Sequence, residues 1–303
     1  MPRRFYTLDV FTGEALTGNP LAVVLDAQDL DDQRMQAIAR EFNLSETVFV
    51  TSPEQDGHRA SLRIFTPGRE LPFAGHPTVG TAMLLGLLDR DGKPGKLDFV
   101  LQEKVGPVPC TVNVLGASGG RATFTLPRLP QRIGALRDKA ALARGLGLEE
   151  DDIGFDTHEP GIYSAGVPFG FVPLRTRNAV TLARPHGDAF AQAFDTVAHG
   201  FPNAFVYCAQ PLDPAHAYHA RMFAPSFGIA EDPATGGAVA AFAGVIMQSD
   251  PPDDGTHAYV IEQGDAMGRP SRITLSLDVD HGTLRQARIG GEAVIVSEGR
   301  LRA

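Results

Sequence analysis

Apolar residues along this chain come mostly in short bursts separated by Gly- and Pro-bearing turns, a pattern that predicts many short strands. The opening bursts, residues 8–11 and 21–25, bracket Gly13 and Gly18-Asn19-Pro20 and read as strand, turn-rich loop, strand. A helix is predicted next. Asp31 suits its N-cap, Leu30 and Met35 stand at staple spacing, and Met35, Ile38, Ala39 and Phe42 recur at i, i+3, i+4, i+7. Asn43 follows the last apolar position, as at many helix ends. Residues 46–50 and 60–65 again predict strands. Residues 77–88 differ: they are small or apolar on every side, with Gly80, Ala82 and Gly86 among them, which predicts a helix buried all round. Strands at 97–102, 110–115 and 122–126 follow.

Beyond a Pro- and Arg-bearing connection at 127–131, the pattern predicts a helix around 137–146, strands near 162–163 and 169–174, and a polar-faced helix near 188–197. Strands at 204–208 and 218–223 lead into residues 236–247, a second helix apolar all round. Strands at 258–262, 273–277 and 293–297 complete the pattern. Strands enclosing buried central helices, without strict strand–helix alternation, predict an α+β protein.

The two halves resemble each other. Arg63-Ile64-Phe65-Thr66-Pro67 recurs as Arg221-Met222-Phe223-Ala224-Pro225, and His76-Pro77-Thr78-Val79-Gly80-Thr81-Ala82 as Asp232-Pro233-Ala234-Thr235-Gly236-Gly237-Ala238. A small-residue helix follows both times, and a Gln102-Glu103 or Glu262-Gln263 pair closes the next strand. Pro at the first helical position has φ already set and gives up an amide that would lack a partner. The following amides then point outward with the positive end of the helix dipole, and small residues let an anion approach them. Two such N-termini facing each other would hold a carboxylate, with His76 and Asp232 opposite one another at the rim.

Composition narrows the function. The 303 residues are 43% hydrophobic and 21% charged, enough for two domains with cores of their own. A net charge of −9 argues against a nucleic-acid partner but leaves a small anionic substrate open. No stretch approaches ~18 uninterrupted apolar residues and no signal-like segment follows Arg3-Arg4, so a cytoplasmic protein with no membrane partner is expected. Cys110 and Cys208, the two cysteines, fit a reducing compartment; a buried pair between them stays open.

The joined motifs resemble the phenazine-biosynthesis PhzF-like family, a branch of the diaminopimelate-epimerase-like fold. They are Asp9-Val10-Phe11-Thr12, Gly18-Asn19-Pro20-Leu21-Ala22-Val23, Asn43-Leu44-Ser45-Glu46-Thr47-Val48-Phe49 and Arg63-Ile64-Phe65-Thr66-Pro67. Glu70-Leu71-Pro72-Phe73-Ala74-Gly75-His76-Pro77-Thr78, residues 221–236 and Gln263-Gly264 with Met267-Gly268-Arg269-Pro270-Ser271 continue the match over nearly the whole chain. The resemblance implies two pseudo-symmetric domains, each a β-barrel-like sheet around a central helix. Domain ranges of 1–120, with a last strand at about 288–303 returning to it, and 121–287 follow. It also implies a homodimer and an isomerase active without metal or cofactor, of the trans-2,3-dihydro-3-hydroxyanthranilate type, in which one glutamate moves a proton between substrate carbons.

That glutamate falls on Glu46. Locally, a carboxylate after a helix end fits a desolvated base with a raised pKa and equally a surface residue at a strand start; the motif favours catalysis. His76 and Asp232 fall on positions that place substrate and assist proton movement. Asn19, Ser45, Gly75, Pro77, Thr78, Thr235, Gly236 and Gly237 are the expected substrate-binding residues. The family often has Ser where this chain has Gly237, which leaves the substrate open and leaves room for an inactive ligand-binding member or an epimerase.

Other signals are set aside. Residues 66–82 and 224–240 hold no Cys, which disfavours a two-thiol racemase. Gly116-Ala117-Ser118-Gly119-Gly120 formally matches a hydrolase elbow, but a strand follows it, so it reads as a hairpin loop. His216 and His219 stand at odd spacing in an expected strand and would point to opposite faces, which argues against a metal pair. Gly145-Leu146-Gly147 lacks the rest of a dinucleotide fingerprint.

Overall fold

The computed structural model describes residues 2–197 and 201–302, apart from the side chain of Phe227. Met1 and Ala303, the outer ends of the expected domain ranges, lie outside the described residues. The chain divides into two compact units.

The first unit takes in the chain up to Pro127 and from Ile289 onward. Its elements are β1 (Arg3–Val10), β2 (Asn19–Val24), α1 (Asp32–Phe42), β3 (Glu46–Thr51), β4 (Ala60–Phe65), β5 (Glu70–Leu71), α2 (Gly75–Asp89), β6 (Gly95–Glu103), β7 (Gly106–Gly116) and β8 (Gly119–Thr125). The far end of the final strand, β17 (Thr283–Leu301), completes it. The pairs β1–β2 and β3–β4 are antiparallel, while β2–β3 and β4–β6 are parallel. Then β6–β7 and β7–β8 are antiparallel, β8 pairs with β17, and β17 pairs with β1. Eight strands thus close on themselves and leave no open edge. Because β8 is tied to both β7 and β17, this unit runs on to Pro127, past the 120/121 boundary read from the sequence.

α2 lies inside this barrel, buried from Gly75 to Leu87 and packed on β1, β2, β3, β7 and β8. Glycine, a poor helix former, is used here for close approach. A Cβ on Gly80 would stand 2.6 Å from Leu21 Cδ2 and 2.7 Å from Val10 Cγ2, and one on Gly86 2.7 Å from Val112 Cγ1. α1 is amphipathic instead. Its Met35, Ile38 and Ala39 pack with Val24, Phe49 and Phe65, Asp31 caps the Arg34 N–H at 2.8 Å, and Asn43 ends it in the left-handed region at φ 51°.

The second unit, Arg128–Arg288, repeats the pairing scheme. Its elements are β9 (Gln131–Gly134), α3 (Lys139–Leu146), β10 (Gly161–Ser164), β11 (Pro168–Pro173), α4 (Arg177–Leu182), α5 (Gly187–Ala193), β12 (Ala204–Cys208), β13 (Tyr218–Ala224), β14 (Ile229–Asp232), α6 (Gly236–Ser249), β15 (Gly255–Gln263), β16 (Ser271–Asp280) and the start of β17. Again β10–β11 is antiparallel, β11–β12 parallel, β12–β13 antiparallel and β13–β15 parallel, followed by β15–β16 and β16–β17. The short β14 pairs with β13 as β5 does with β4. α6 holds the place of α2, and its Phe242 packs among Phe171, Phe205, Tyr207 and Tyr218 at centroid distances of 4.7 to 5.9 Å.

The helical positions expected at 188–197 end at Ala193, and α4 was not expected at all, since six residues give too little periodicity to read. Cys110 on β7 and Cys208 on β12 are buried thiols, each pushed up by burial. Residues 117 and 118 make the β7–β8 hairpin turn, with Gly116 paired to Gly119.

Candidate active site

In the first unit, β2 and β3 start, and β1 and β4 end, at the end of the barrel where α2 begins; β6 runs toward the same end. Asn19 and Glu46 are therefore brought together as first residues of adjacent parallel strands. The first turn of α2 supplies Gly75, His76, Pro77 and Thr78 there, all buried. Ser45, half-buried, precedes Glu46.

His76 joins these groups. Its Nδ1 lies 3.4 Å from Asn19 Nδ2, and its Nε2 lies 3.4 Å from Glu46 Oε2. An amide nitrogen only donates, so Nδ1 accepts, and the ring proton sits on Nε2, facing the carboxylate. Burial holds the imidazole down to about 3, so it stays neutral through the physiological range. The Glu46 side chain is 13% exposed, and the His76–Glu46 contact is a neutral N–H approaching a carboxyl group. His76 is enclosed rather than standing on a rim, at 4% exposure.

A second acid belongs to this end of the barrel. Glu103, the last residue of β6, is buried, and its Oε1 lies 2.7 Å from Thr78 Oγ1. Thr78 Oγ1 is also 2.7 Å from the carbonyl oxygen of Ala74, the N-cap of α2. Burial pushes the Glu103 carboxyl up to about 8, against the opposing pull of the Thr78 hydrogen bond.

In the second unit the matching residues gather around Gln263. Its Oε1 accepts from the Thr235 N–H at 3.0 Å, while its Nε2 donates to the Asp232 carbonyl at 2.7 Å and to Thr235 Oγ1 at 3.0 Å. Thr235 Oγ1 in turn donates to Asp232 Oδ2 at 2.5 Å. These bonds hold 232–235 in a non-helical turn, so α6 begins at Gly236 and Pro233 stands outside the helix. Pro77 is the third residue of α2, where its missing N–H is still among those with no helical partner. Neither proline is therefore at the first helical position expected for both. Neither helix has a side-chain N-cap. A Cβ on Gly237 would rest 3.6 Å from two ring carbons of Phe169, an ordinary contact, so the site has room for serine.

Glu103 and Gln263 occupy equivalent positions: Ser61 is paired with Gln102 as His219 is with Glu262, two residues before Arg63 and Arg221 respectively. Neither was singled out from the sequence as functional. Their signal was the matched polar pair closing each strand.

His216 and His219 differ from their sequence reading. His216 precedes β13, which starts at Tyr218, so strand alternation does not govern the pair. Both imidazoles converge on Glu262: His216 Nδ1 is 2.7 Å from Oε1 and His219 Nδ1 is 3.2 Å from Oε2. The backbone N–H groups of Leu212 and Asp213 also donate to this carboxylate, at 2.6 and 2.9 Å, and with His216 they hold its pKa low against the effect of burial. Asp265 completes a grouping of metal-ligand type with His219 and Glu262, but the Glu262 oxygens are already occupied by four N–H or imidazole contacts.

The chain is similar to known proteins over nearly its whole length. The family model described as phenazine biosynthesis-like protein matches residues 8–299. A trans-2,3-dihydro-3-hydroxyanthranilate isomerase of Pseudomonas aeruginosa is 33% identical over 297 residues, 98% of each chain. An uncharacterized isomerase of Mesorhizobium japonicum is 47% identical over 300 residues, 99% of this chain and 98% of the other. The crystal structure of a Bacillus anthracis phenazine biosynthesis protein of the PhzF family superposes with a TM-score of 0.87 at 27% identity, covering 100% of both chains.

Proposed function

The chain belongs to the phenazine biosynthesis-like family, and from that premise we propose a cofactor-independent isomerase that moves a proton within a small carboxylate-bearing substrate of the trans-2,3-dihydro-3-hydroxyanthranilate type. Isomerase activity follows from its relatives; the substrate and the roles of the residues are our reading. The observation that carries it is the Glu46 carboxylate, shielded from water and faced by the Nε2 of a neutral His76. Glu46 takes a proton from one substrate carbon as the C–H electron pair moves into the adjacent π system. It then returns that proton to another carbon, so no oxidant or reductant is consumed. Little water reaches Glu46, which favours return of the same proton. A neutral His76, with Nε2 3.4 Å from Glu46 Oε2, faces the carboxyl without trapping it in an ion pair. Asn19 fixes the His76 ring. Asp232, Thr235, Gly236 and Gly237 are proposed to bind substrate, with Ser45, Gly75, Pro77 and Thr78.

A second reading, a ligand-binding member without turnover, is favoured by Gly237, where a hydroxyl that would reach a ligand is missing. Incubation with trans-2,3-dihydro-3-hydroxyanthranilate in D₂O separates the two. The isomerase reading expects a change in the ultraviolet spectrum and deuterium at the carbon receiving the proton, to the extent that the carboxyl exchanges. The Gly237→Ser variant, which the structure accommodates, is expected to turn this compound over faster. Silence from both proteins would remove this substrate class, and inversion at a stereocentre would mark an epimerase. Among the described residues no helix is long and apolar enough to cross a membrane. The proposal extends to a cytoplasmic homodimer, which a sedimentation mass twice that of the chain would support.

A further inference from the structure

We propose that Glu103 is a positioning residue, kept as a neutral acid, that donates to Thr78 and through it fixes the turn of α2 carrying His76; its bearing on turnover rests on the isomerase reading. The argument is a proton count. Thr78 Oγ1 stands 2.7 Å from two oxygens, the Ala74 carbonyl and Glu103 Oε1. A hydroxyl has one hydrogen, and a carbonyl and a carboxylate can only accept. Two contacts of this length need two hydrogens, so the second is carried by Glu103. The chain then runs from the Glu103 O–H to Thr78 Oγ1, and from the Thr78 O–H to the Ala74 carbonyl. Glu103 Oε2, buried with no hydrogen-bond partner, is left as the carbonyl oxygen of the acid, far cheaper to bury than half of a carboxylate.

The second unit builds a comparable chain with an amide and with Thr235, one position later in the matched motif than Thr78. Gln263 Nε2 donates to Thr235 Oγ1, whose hydroxyl donates onward to Asp232. A protonated glutamic acid and a glutamine share a planar shape and a carbonyl oxygen; the acid offers one donor hydrogen where the amide offers two. Both units thus place a neutral donor at the end of the equivalent strand and relay it through a threonine to the turn bearing the candidate catalytic residue.

The groups around Glu103 supply no charge to hold it ionised. Lys104, the next residue, is turned to Glu70, and Arg63 on β4 is taken by Glu70 and Asp32. Cys110 on β7 is a neutral thiol pushed up by burial, and His76 on α2 is neutral. Burial raises the Glu103 carboxyl to about 8 from 4.5. A folded-state pKa above the unfolded one means that the stability held by this proton is complete below about 4.5 and declines as pH rises through about 8.

Glu103→Gln and Glu103→Leu test this in the full chain. Infrared difference spectra at neutral pH should show the C=O stretch of a protonated buried carboxylic acid in the wild type, absent from Glu103→Gln and lost on titration past about pH 8. Between pH 5 and 8 the wild-type melting temperature should fall relative to Glu103→Gln, and the difference should then level off. Turnover should drop about tenfold or more in Glu103→Leu, mainly in kcat, and be largely restored by Gln, which should also lack the wild-type loss above pH 8. The infrared and melting arms need no substrate, so they stand even where the isomerase reading fails. An absent protonated-acid band overturns the neutral-acid assignment. Turnover in Glu103→Gln as poor as in Glu103→Leu, or full turnover in Glu103→Leu, overturns the positioning role.

Discussion

Replacing Glu46 by Gln is expected to lower kcat by roughly 10³-fold or more while substrate binding changes by no more than a few-fold. Gln keeps the volume of Glu46, its place at the start of β3 and an oxygen able to face His76 Nε2 across 3.4 Å. What it loses is the ability to accept and return a proton. Neither His76 nor Glu103 stands ready to take over: His76 is held neutral with a pKa near 3, far too weak a base at pH 7, and Glu103 is engaged with Thr78. The variant should therefore bind substrate, measured by calorimetry or by quenching, and leave its ultraviolet spectrum unchanged. Turnover within tenfold of the wild type would show that the proton travels by another group. His76→Gln should do less, perturbing the placement of Glu46 while leaving its carboxylate in place.

Glu46 also marks how far sequence reading reaches. From its local pattern it is one acid at a strand start; only the joined motifs single it out, because its environment comes from Asn19, 27 residues earlier, and from an α2 turn 30 residues later. The buried helices were legible, since a run of Gly, Ala and aliphatic residues with no polar face has nowhere else to go. The repeat was legible as motif pairs, and the structure shows why it recurs: the strand-pairing order is repeated. That order itself was not legible, because parallel pairs such as β4–β6 join strands with a whole helix between them. The prolines misled on helix starts because tertiary bonds, from Gln263 above all, decide where α6 begins. Glu103 stayed hidden for the same reason: its partner is a threonine 25 positions away, and nothing local marks an acid as buried.

The repeated Arg-x-Phe motif is expected to be structural, with unequal weight in the two units. Arg221 binds Glu231 bidentately, Nε to Oε1 and Nη2 to Oε2, both at 2.8 Å. Its Nη1 reaches the carbonyls of Val180, Thr181 and Ala183 at 2.9 to 3.0 Å, groups that α4 leaves without partners at its C-terminus. The guanidinium also lies 4.8 Å from the centroid of the Phe223 ring. Arg63 copies the design: it binds Glu70 bidentately at 2.7 Å, reaches Asp32 at 2.7 Å, and lies 5.2 Å from the Phe65 centroid. The difference is water. The Arg221 side chain is 4% exposed against 25% for Arg63; their bidentate partners Glu231 and Glu70 are alike at 16% and 15%, but the second partner of Arg63, Asp32, is 79% exposed. Arg221→Ala leaves Glu231 and the Val180 carbonyl without their cation in a dry setting, although Arg184 Nη1 still reaches the Thr181 and Ala183 carbonyls, and should destabilise the protein by about 3–5 kcal/mol. Arg63→Ala leaves Glu70 with Lys104 as its cation and Asp32 in water, so about 1–2 kcal/mol is expected, partly screened by salt. Urea unfolding of both variants, at low and high ionic strength, measures the two losses. Equal losses would mean that the fork geometry, common to both, sets the contribution; the argument from burial requires Arg221 to exceed Arg63 clearly and to respond less to salt.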